Sequence, residues 1–321
     1  MLLLVDLGGT NCRCMLQTLD GSIEKLQVYQ NDQHQSLENV LHLFLEEQIA
    51  SITKAAFSIA GPVVSTAFKM TNLDWTIDRV SIAKAIGDDV DIHIVNDFSA
   101  VAMSLPYIQS ENSLILNGDT QMLKSSFTPK VVLGPGTGLG VGALVPVKNG
   151  WAVVSGEGGH VSLSTRTSEE HAVFQILAEK FGHVSAERVI SGQGLEQIYS
   201  ALCQLQGRSI SPLSAADISN GALQGDLLPR RALDMMYSFL ATVASDLALT
   251  FGAKGGVYLA GGILPKIMDD FGQSEFITLF KDKGRFSDYL HTIPVLLITE
   301  EFPAFVGLRE MLIREDAFID V

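Results

Sequence analysis

Leu2-Leu3-Leu4-Val5-Asp6-Leu7-Gly8-Gly9-Thr10 opens the chain as an apolar run that ends in a carboxylate, paired glycines and a threonine. The run has the composition of a buried strand, and the glycines make a bare loop at its end. Two glycines after a strand let the backbone approach a ligand closely, with its N–H groups free to meet phosphate oxygens. A carboxylate beside such a loop suits hydrated Mg²⁺, an ion that keeps several waters and few protein ligands. A hairpin turn with an incidental Asp accounts for the same residues.

Outward from this stretch, Arg13 to Thr18 reads as a second strand, and Asp20-Gly21 is a turn signal for further antiparallel pairing. Ser36 precedes a helical pattern with Leu37, Val40, Leu41, Phe44 and Leu45 on one side. Ala55 to Ala60 and Ile92 to Val95 read as buried strands, the second followed by Asn96-Asp97 and a short apolar helix through Met103. Strands first, then strands alternating with helices, imply a mixed sheet with helices packed on it.

A second cycle begins near Ser113. Val131 to Leu133 and Gly140 to Val147 read as strands, and Thr167 with Glu170 forms a capping box that starts a helix through Lys180. A long helix spans about Arg230 to Phe251, with Leu233, Met236, Leu240, Val243 and Leu247 as its apolar stripe and Gly252 closing it. Gly256 to Ala260 is a buried strand that enters Gly261-Gly262 and another helix; Pro303 opens a final one. Gly134-Pro135-Gly136-Thr137-Gly138 follows its strand as Gly8-Gly9-Thr10 follows the first. This echo implies two similarly built domains facing one another.

Composition narrows the function. The 321 residues are 47% hydrophobic and 18% charged, an ordinary globular balance with material for about two domains. There are 36 acidic against 22 basic residues, a formal charge of -14, and no run of Lys and Arg, which speaks against nucleic acid as a partner. The three cysteines, Cys12, Cys14 and Cys203, form no zinc spacing. Cys12 and Cys14 would share one face of a strand as small core side chains. The N-terminus has no basic n-region, and the uncharged stretch Val131 to Val147 is broken by glycines and prolines. No membrane segment and a reducing, cytoplasmic setting are the expectation.

Chemistry concentrates in four further motifs. Glycine occupies positions 134, 136, 138, 140 and 142, which in an extended segment strips one face of side chains. Glycine weakens strands, so close approach of a nucleotide's phosphates is a reason for it, and a loop with several tight turns is another. The spacing fits neither the Rossmann fingerprint nor the Walker P-loop. Asp97 at a strand end is placed to accept a proton from a hydroxyl, or to cap its helix. Glu157 and His160 stand in a loop with three glycines, and Glu187 follows Gly182-His183; carboxylates and an imidazole suit sugar hydroxyls. An exposed helix charge and a satisfied loop histidine are the plainer readings. Leu259-Ala260-Gly261-Gly262-Ile263 offers a pocket for an adenine ring or a tight strand–helix contact.

The order of these motifs resembles the hexokinase/actin/Hsp70 ATPase superfamily. Gly182-His183-Val184-Ser185-Ala186-Glu187-Arg188, Lys281-Asp282-Lys283-Gly284-Arg285-Phe286 and Met70-Thr71-Asn72-Leu73-Asp74-Trp75 resemble the bacterial glucokinases within it. The likeness spans nearly the whole chain. It implies a two-domain actin-like ATPase (ribonuclease H-like) α/β fold with a cleft between domains. The small domain would be residues 1–107, with the C-terminal helix 302–321 packing back on it, and the large domain 108–301.

It further implies glucose as phosphoryl acceptor and ATP as donor, the product feeding glycolysis, and a homodimer. Asp6, Gly8, Gly9 and Thr10 would form the first phosphate loop, and Gly134, Gly136, Thr137 and Gly138 the second. Gly261 and Gly262 would lie at the adenosine. Asn72, Asn96, Asp97, Glu157, His160 and Glu187 would bind the sugar, with Asp97 as general base and Ser58 to Pro62 lining the small-domain side. No metal would be held firmly by protein, Mg²⁺ being carried by ATP near Asp6. The chain departs from the family at Gly61-Pro62, often Cys-Pro, at Gln193, often Pro, and at Pro303-Ala304, often Pro-Gly. The zinc-binding Cys/His motif of the related ROK kinases is absent. A kinase of mannose or an amino sugar, a kinase-like sugar-sensing regulator and an actin-like or chaperone ATPase are the competing readings. The regulator would need a helix-turn-helix segment, and the ATPase has no use for the Glu157 loop.

Overall fold

The computed structural model describes residues 1–46, 51–61, 67–70, 74–118, 127–209, 212–314 and 318–320. They fall into two compact units: Met1–Gln109, Gly142–Gly156 and Glu300–Val321 in the first, Ser110–Val141 and Glu157–Thr299 in the second. A single cut at residue 107 or 108 leaves out one return of the chain, because Gly142–Gly156 groups with the first unit.

The first unit is built on β1 (Leu2–Leu7), which pairs antiparallel with β2 (Asn11–Gln17). Every residue of β1 except Asp6 is buried, so the strand is apolar without alternation, as a central strand covered on both faces must be. The ladder resumes at Asn11, two residues before the expected start, because only Gly8 to Thr10 separates the strands. Cys12 and Cys14 point to the same buried side, their sulfurs 3.9 Å apart. The Cys12 thiol beside it, and then burial, push the Cys14 thiol well above its usual range.

Asp20-Gly21 turns the chain into β3 (Ile23–Gln30), antiparallel to β2. α1 (Leu37–Leu45) follows, capped by Ser36 Oγ accepting from the Asn39 N–H and burying Leu37, Val40, Leu41 and Phe44. β4 (Lys54–Ile59) lies parallel to β1; β5 (Ala67–Lys69) and β6 (Thr76–Asp78) make a small antiparallel pair leading into α2 (Arg79–Ile86). β7 (Asp91–Asn96) completes a sheet ordered β3-β2-β1-β4-β7 and runs directly into α3 (Asp97–Ser104).

The chain then supplies β8 (Ser113–Asn117), β9 (Lys130–Pro135), β10 (Leu139–Val147) and β11 (Gly150–Ser155). Gly142 to Val147 pairs antiparallel with β11 inside the first unit. In the second unit come α4 (Ser168–Phe181), α5 (Gly192–Leu205), α6 (Ala215–Leu223), α7 (Leu227–Phe251) and β12 (Val257–Leu259). The short helices α8 (Met268–Gly272), α9 (Phe276–Lys281) and α10 (Ser287–His291) precede β13 (Val295–Ile298). Its strands are ordered β9-β12-β13-β8, the first three parallel. The first unit closes with α11 (Pro303–Ile313) and β14 (Phe318–Asp320), the latter parallel to β11.

Local signals account for most boundaries. The Thr167–Glu170 capping box is formed in full, and the buried Glu170 also accepts from Ser238 Oγ at 2.6 Å. α7 starts at Leu227, three residues before Arg230, because Pro229 sits in the first turn, where its missing N–H costs nothing. α7 is long and apolar enough to cross a membrane, and most of that stretch is buried inside the protein. The helix expected after Gly262 is only a 3₁₀ turn, Leu264–Ile267, with Pro265 in its first turn, before the one-turn α8.

Arg166 ties the second unit together. Its guanidinium donates to Thr242 of α7 and to Asp282, while Lys283 pairs with Asp246 of α7. The Lys281–Phe286 run therefore anchors the core helix. Lys130 is buried in β9, its ammonium donating to Gly255 O at 3.0 Å, and burial pushes its pKa down to about 8.

Candidate active site

In the first unit the register of three strands builds a polar cluster at the end of β1. Asp6 lies opposite Arg13 on β2 and beside Ser58 on β4. Its Oδ2 accepts from Arg13 Nη1 at 2.8 Å and its Oδ1 from Ser58 Oγ at 2.7 Å. Both oxygens thus have a protein donor, and each keeps lone pairs for water. The Gly8 N–H donates to Asn11 O at 3.0 Å, closing the turn through Gly9 and Thr10. Asn31 bonds this turn twice, through its backbone N–H to Thr10 O and its Nδ2 to Gly8 O, both at 2.9 Å.

At the end of β7, Asn96 and Asp97 divide two roles that the sequence left open for Asp97. Asn96 is the N-cap: its Oδ1 accepts from the N–H groups of Phe98 and Ser99, and its Nδ2 donates to Gly61 O at 3.1 Å. Both ends of the Asn96 amide thereby hold backbone. Asp97 is the first helical residue, and its Oδ1 accepts from the Phe98 N–H at 2.9 Å. Two close approaches hold α3 in place. A β-carbon on Gly142 would come within 2.7 Å of Phe98 O, and one on Gly307 of α11 would overlap Ala100 O. Asn72 and Pro62 lie outside the described residues.

In the second unit the alternate-glycine run is not one bare face. β9 ends at Pro135, Gly136 to Gly138 form a tight turn with the Gly136 N–H donating to Gly138 O at 2.8 Å, and β10 begins at Leu139. The sequence allows both an extended face bare of side chains and a loop of tight turns between two strands, and the turn is what forms. The Gly192 N–H, at the start of α5, donates to Gly136 O and braces the turn.

Leu139 joins this turn to the polar residues. Its N–H donates to Glu187 Oε2 at 2.9 Å, and a β-carbon on Gly138 would overlap the same carboxylate oxygen. Its carbonyl lies where a side chain on Gly159 would be, while a β-carbon on Gly158 would meet Val141. The loop carrying Glu157 and His160 is therefore pressed onto the start of β10. Residues 161–163 then run beside 184–186, with Leu163 N–H to Val184 O at 3.1 Å and Ala186 N–H to Val161 O at 3.0 Å. That pairing brings Glu157, His160 and Glu187 to one neighbourhood. Glu157 and His160 are more than half exposed, with Oε2 and Nε2 3.9 Å apart. Glu187 is half-buried.

The other glycines separate by function. Gly261 is required by the fold: its φ is +84°, and a β-carbon would overlap Pro135 O. That supports tight packing at this position. Gly262 and Gly136 are different, since no atom of the described residues lies within 4 Å of where their side chains would begin. Internal packing there does not demand glycine, so the open space suits a ligand's approach.

Three residues in these clusters are not marked by any motif. Arg13 follows from hairpin arithmetic, because a turn closed by Gly8 and Asn11 puts residue 13 opposite residue 6. Leu139 and Asn31 act through backbone or from a distant strand end, and no local signal points to either.

Known proteins resemble this chain over nearly its whole length. A family model described as Glucokinase matches residues 3–315. A glucokinase of Nitrobacter hamburgensis is 41% identical over 309 residues, covering 95% of each chain. The crystal structure of a glucokinase from an Antarctic psychrotroph superposes with a TM-score of 0.85 at 31% identity, covering 98% of this chain and 99% of that one. A ROK hexokinase from Thermus thermophilus, at 15% identity and a TM-score of 0.68, shares the fold alone. The architecture is the two-domain actin-like ATPase fold of these sugar kinases. By the extent of the family match and of the identity, the chain belongs to the glucokinase family.

Proposed function

We propose that this protein transfers the γ-phosphoryl group of ATP to the 6-hydroxyl of glucose, giving glucose 6-phosphate and ADP. Membership of the glucokinase family supports the reaction. The observation that carries the site reading is Leu139, which holds Glu187 on one side and continues the Gly136–Gly138 turn on the other. Residues suited to sugar hydroxyls and backbone suited to phosphate are thus neighbours in the second unit.

The roles follow from the chemistry of phosphoryl transfer, which needs alignment and charge neutralisation more than covalent catalysis. Glu157, His160 and Glu187 accept and donate hydrogen bonds to ring hydroxyls and fix the orientation of the sugar. Asp97 accepts the proton of the 6-hydroxyl as its oxygen bonds to the γ-phosphorus, and the bond from that phosphorus to the β–γ bridging oxygen breaks to release ADP. Asn96 orients the first turn of α3, and so Asp97, by capping it. Gly9 and Thr10 in one turn, and Thr137 and Gly138 in the other, offer backbone N–H groups to the phosphates, the Gly8 and Gly136 N–H groups being used to close those turns, and Gly262 leaves room for the adenosine. Mg²⁺, when bound by the phosphates, neutralises their charge; the lone pairs left on Asp6 suit hydrogen bonds to its waters.

A cytoplasmic setting, a homodimeric state and a place at the entry to glycolysis belong to this reading. A coupled ADP-release assay with MgATP over glucose, mannose, fructose and glucosamine tests the function. Turnover highest with glucose is the expected result. Turnover confined to mannose or an amino sugar would reassign the acceptor, and ADP release independent of any sugar would overturn the kinase reading.

A further inference from the structure

The geometry points to Asn31 as a positioning residue that aims the Gly9 N–H of the first glycine turn at the triphosphate; this rests on the kinase reading above. Asn31 stands at the end of β3, outside every motif, and is 1% exposed. Its Nδ2 donates to Gly8 O and its backbone N–H to Thr10 O, both at 2.9 Å. It therefore holds carbonyls at both sides of Gly9.

Planarity of the peptide bond gives this a directional consequence. The carbonyl of Gly8 and the N–H of Gly9 belong to one trans peptide, so they point in opposite directions. Fixing the Gly8 carbonyl on Asn31 fixes the Gly9 N–H away from the protein interior. Gly8 O can only accept, so the side-chain atom facing it must be the amide nitrogen. The other end of the amide, Oδ1, is buried with no hydrogen-bond partner among the described residues. A buried amide that spends its donor on one loop carbonyl while its acceptor goes unmet is poorly explained by stability alone. Its effect on the turn gives a reason for it.

The test compares Asn31→Asp and Asn31→Leu with the wild-type enzyme in steady-state assays with glucose and MgATP, alongside thermal unfolding. Neither ionised Asp nor Leu can donate to Gly8 O. The ATP KM should rise on the order of tenfold, the loss of one such bond, with the glucose KM little changed. In Asn31→Asp the buried carboxyl takes up a proton more readily than an exposed one and can then donate again. Its ATP KM should therefore fall back toward wild type between about pH 8 and pH 6, a recovery a purely structural defect would not give. If Asn31→Leu fails to fold, the isosteric Asn31→Asp with its pH profile decides alone. An unchanged ATP KM in a folded variant, or equal rises in both KM values with no pH recovery, would overturn the proposal. A wild-type protein that does not phosphorylate glucose would instead overturn the reading beneath it.

Discussion

Leu139 shows how much of this chemistry lives in single backbone groups. Its N–H holds Glu187, its carbonyl is covered by Gly159, and the turn before it is the glycine run. Glu187→Gln removes the charge that Leu139 leans on and a partner for a sugar hydroxyl. The glucose KM and the ATP KM should therefore rise together, each by roughly ten- to a hundredfold, the range of a charge-assisted hydrogen bond. Glu157→Gln should raise the glucose KM alone, since it leaves the bond between Glu187 and Leu139 in place. An unchanged ATP KM in Glu187→Gln would separate the turn from the carboxylate. At this scale the sequence is legible where the proposed roles fall on side chains: Asp97, Glu157, His160 and Glu187 are all readable as candidates. It is mute where a backbone N–H or a remote amide acts, because Leu139 acts through its backbone and Asn31, at the start of a 3₁₀ turn after β3, stands far along the chain from the turn it holds.

Among elements, α3 matters most, because it starts with Asp97 and is held by close contacts at Gly142 and Gly307. Gly307→Val places a branched side chain into Ala100 O and forces α11 off α3. The urea midpoint should fall by an amount corresponding to about 1–3 kcal/mol or more, with kcat reduced as Asp97 shifts. An unchanged midpoint would show that α11 does not need this approach. Element existence is largely written in the chain: the Ser36 cap, the Thr167 capping box and the Asp20-Gly21 turn appear where their residues imply, whereas the long helix buries every residue from Met235 to Ser245 rather than one stripe, and Leu247 is only half-buried. The alternate glycines are compatible with an extended bare face and with a turn between two strands, and the turn is what forms. The helix after Gly262 shrinks to a 3₁₀ turn, and the backbone that enters it is fixed by the contact of Gly261 with Pro135.

For the whole molecule, the buried Lys130 makes a prediction about stability rather than catalysis. Its pKa is about 8 in the folded protein, against 10.5 for an ordinary exposed lysine. Between those values the unfolded chain binds a proton that the folded chain does not, so this residue makes stability rise with pH in that window. Lys130→Met should be the more stable protein near pH 7 relative to its own wild-type comparison at pH 10, the gap changing by up to about 3 kcal/mol. A gap in urea midpoint that stays constant with pH would show that Lys130 does not titrate on unfolding in this range. Beyond stability, the account of the molecule as a glucose kinase turns on Asp97 acting as a base rather than only as a residue of its helix. The most direct measurement is kcat for glucose phosphorylation by Asp97→Asn, with circular dichroism to confirm the fold. The account predicts a fall on the order of 10²–10⁴-fold with the fold and ATP binding kept; a kcat within a few-fold of wild type would contradict it.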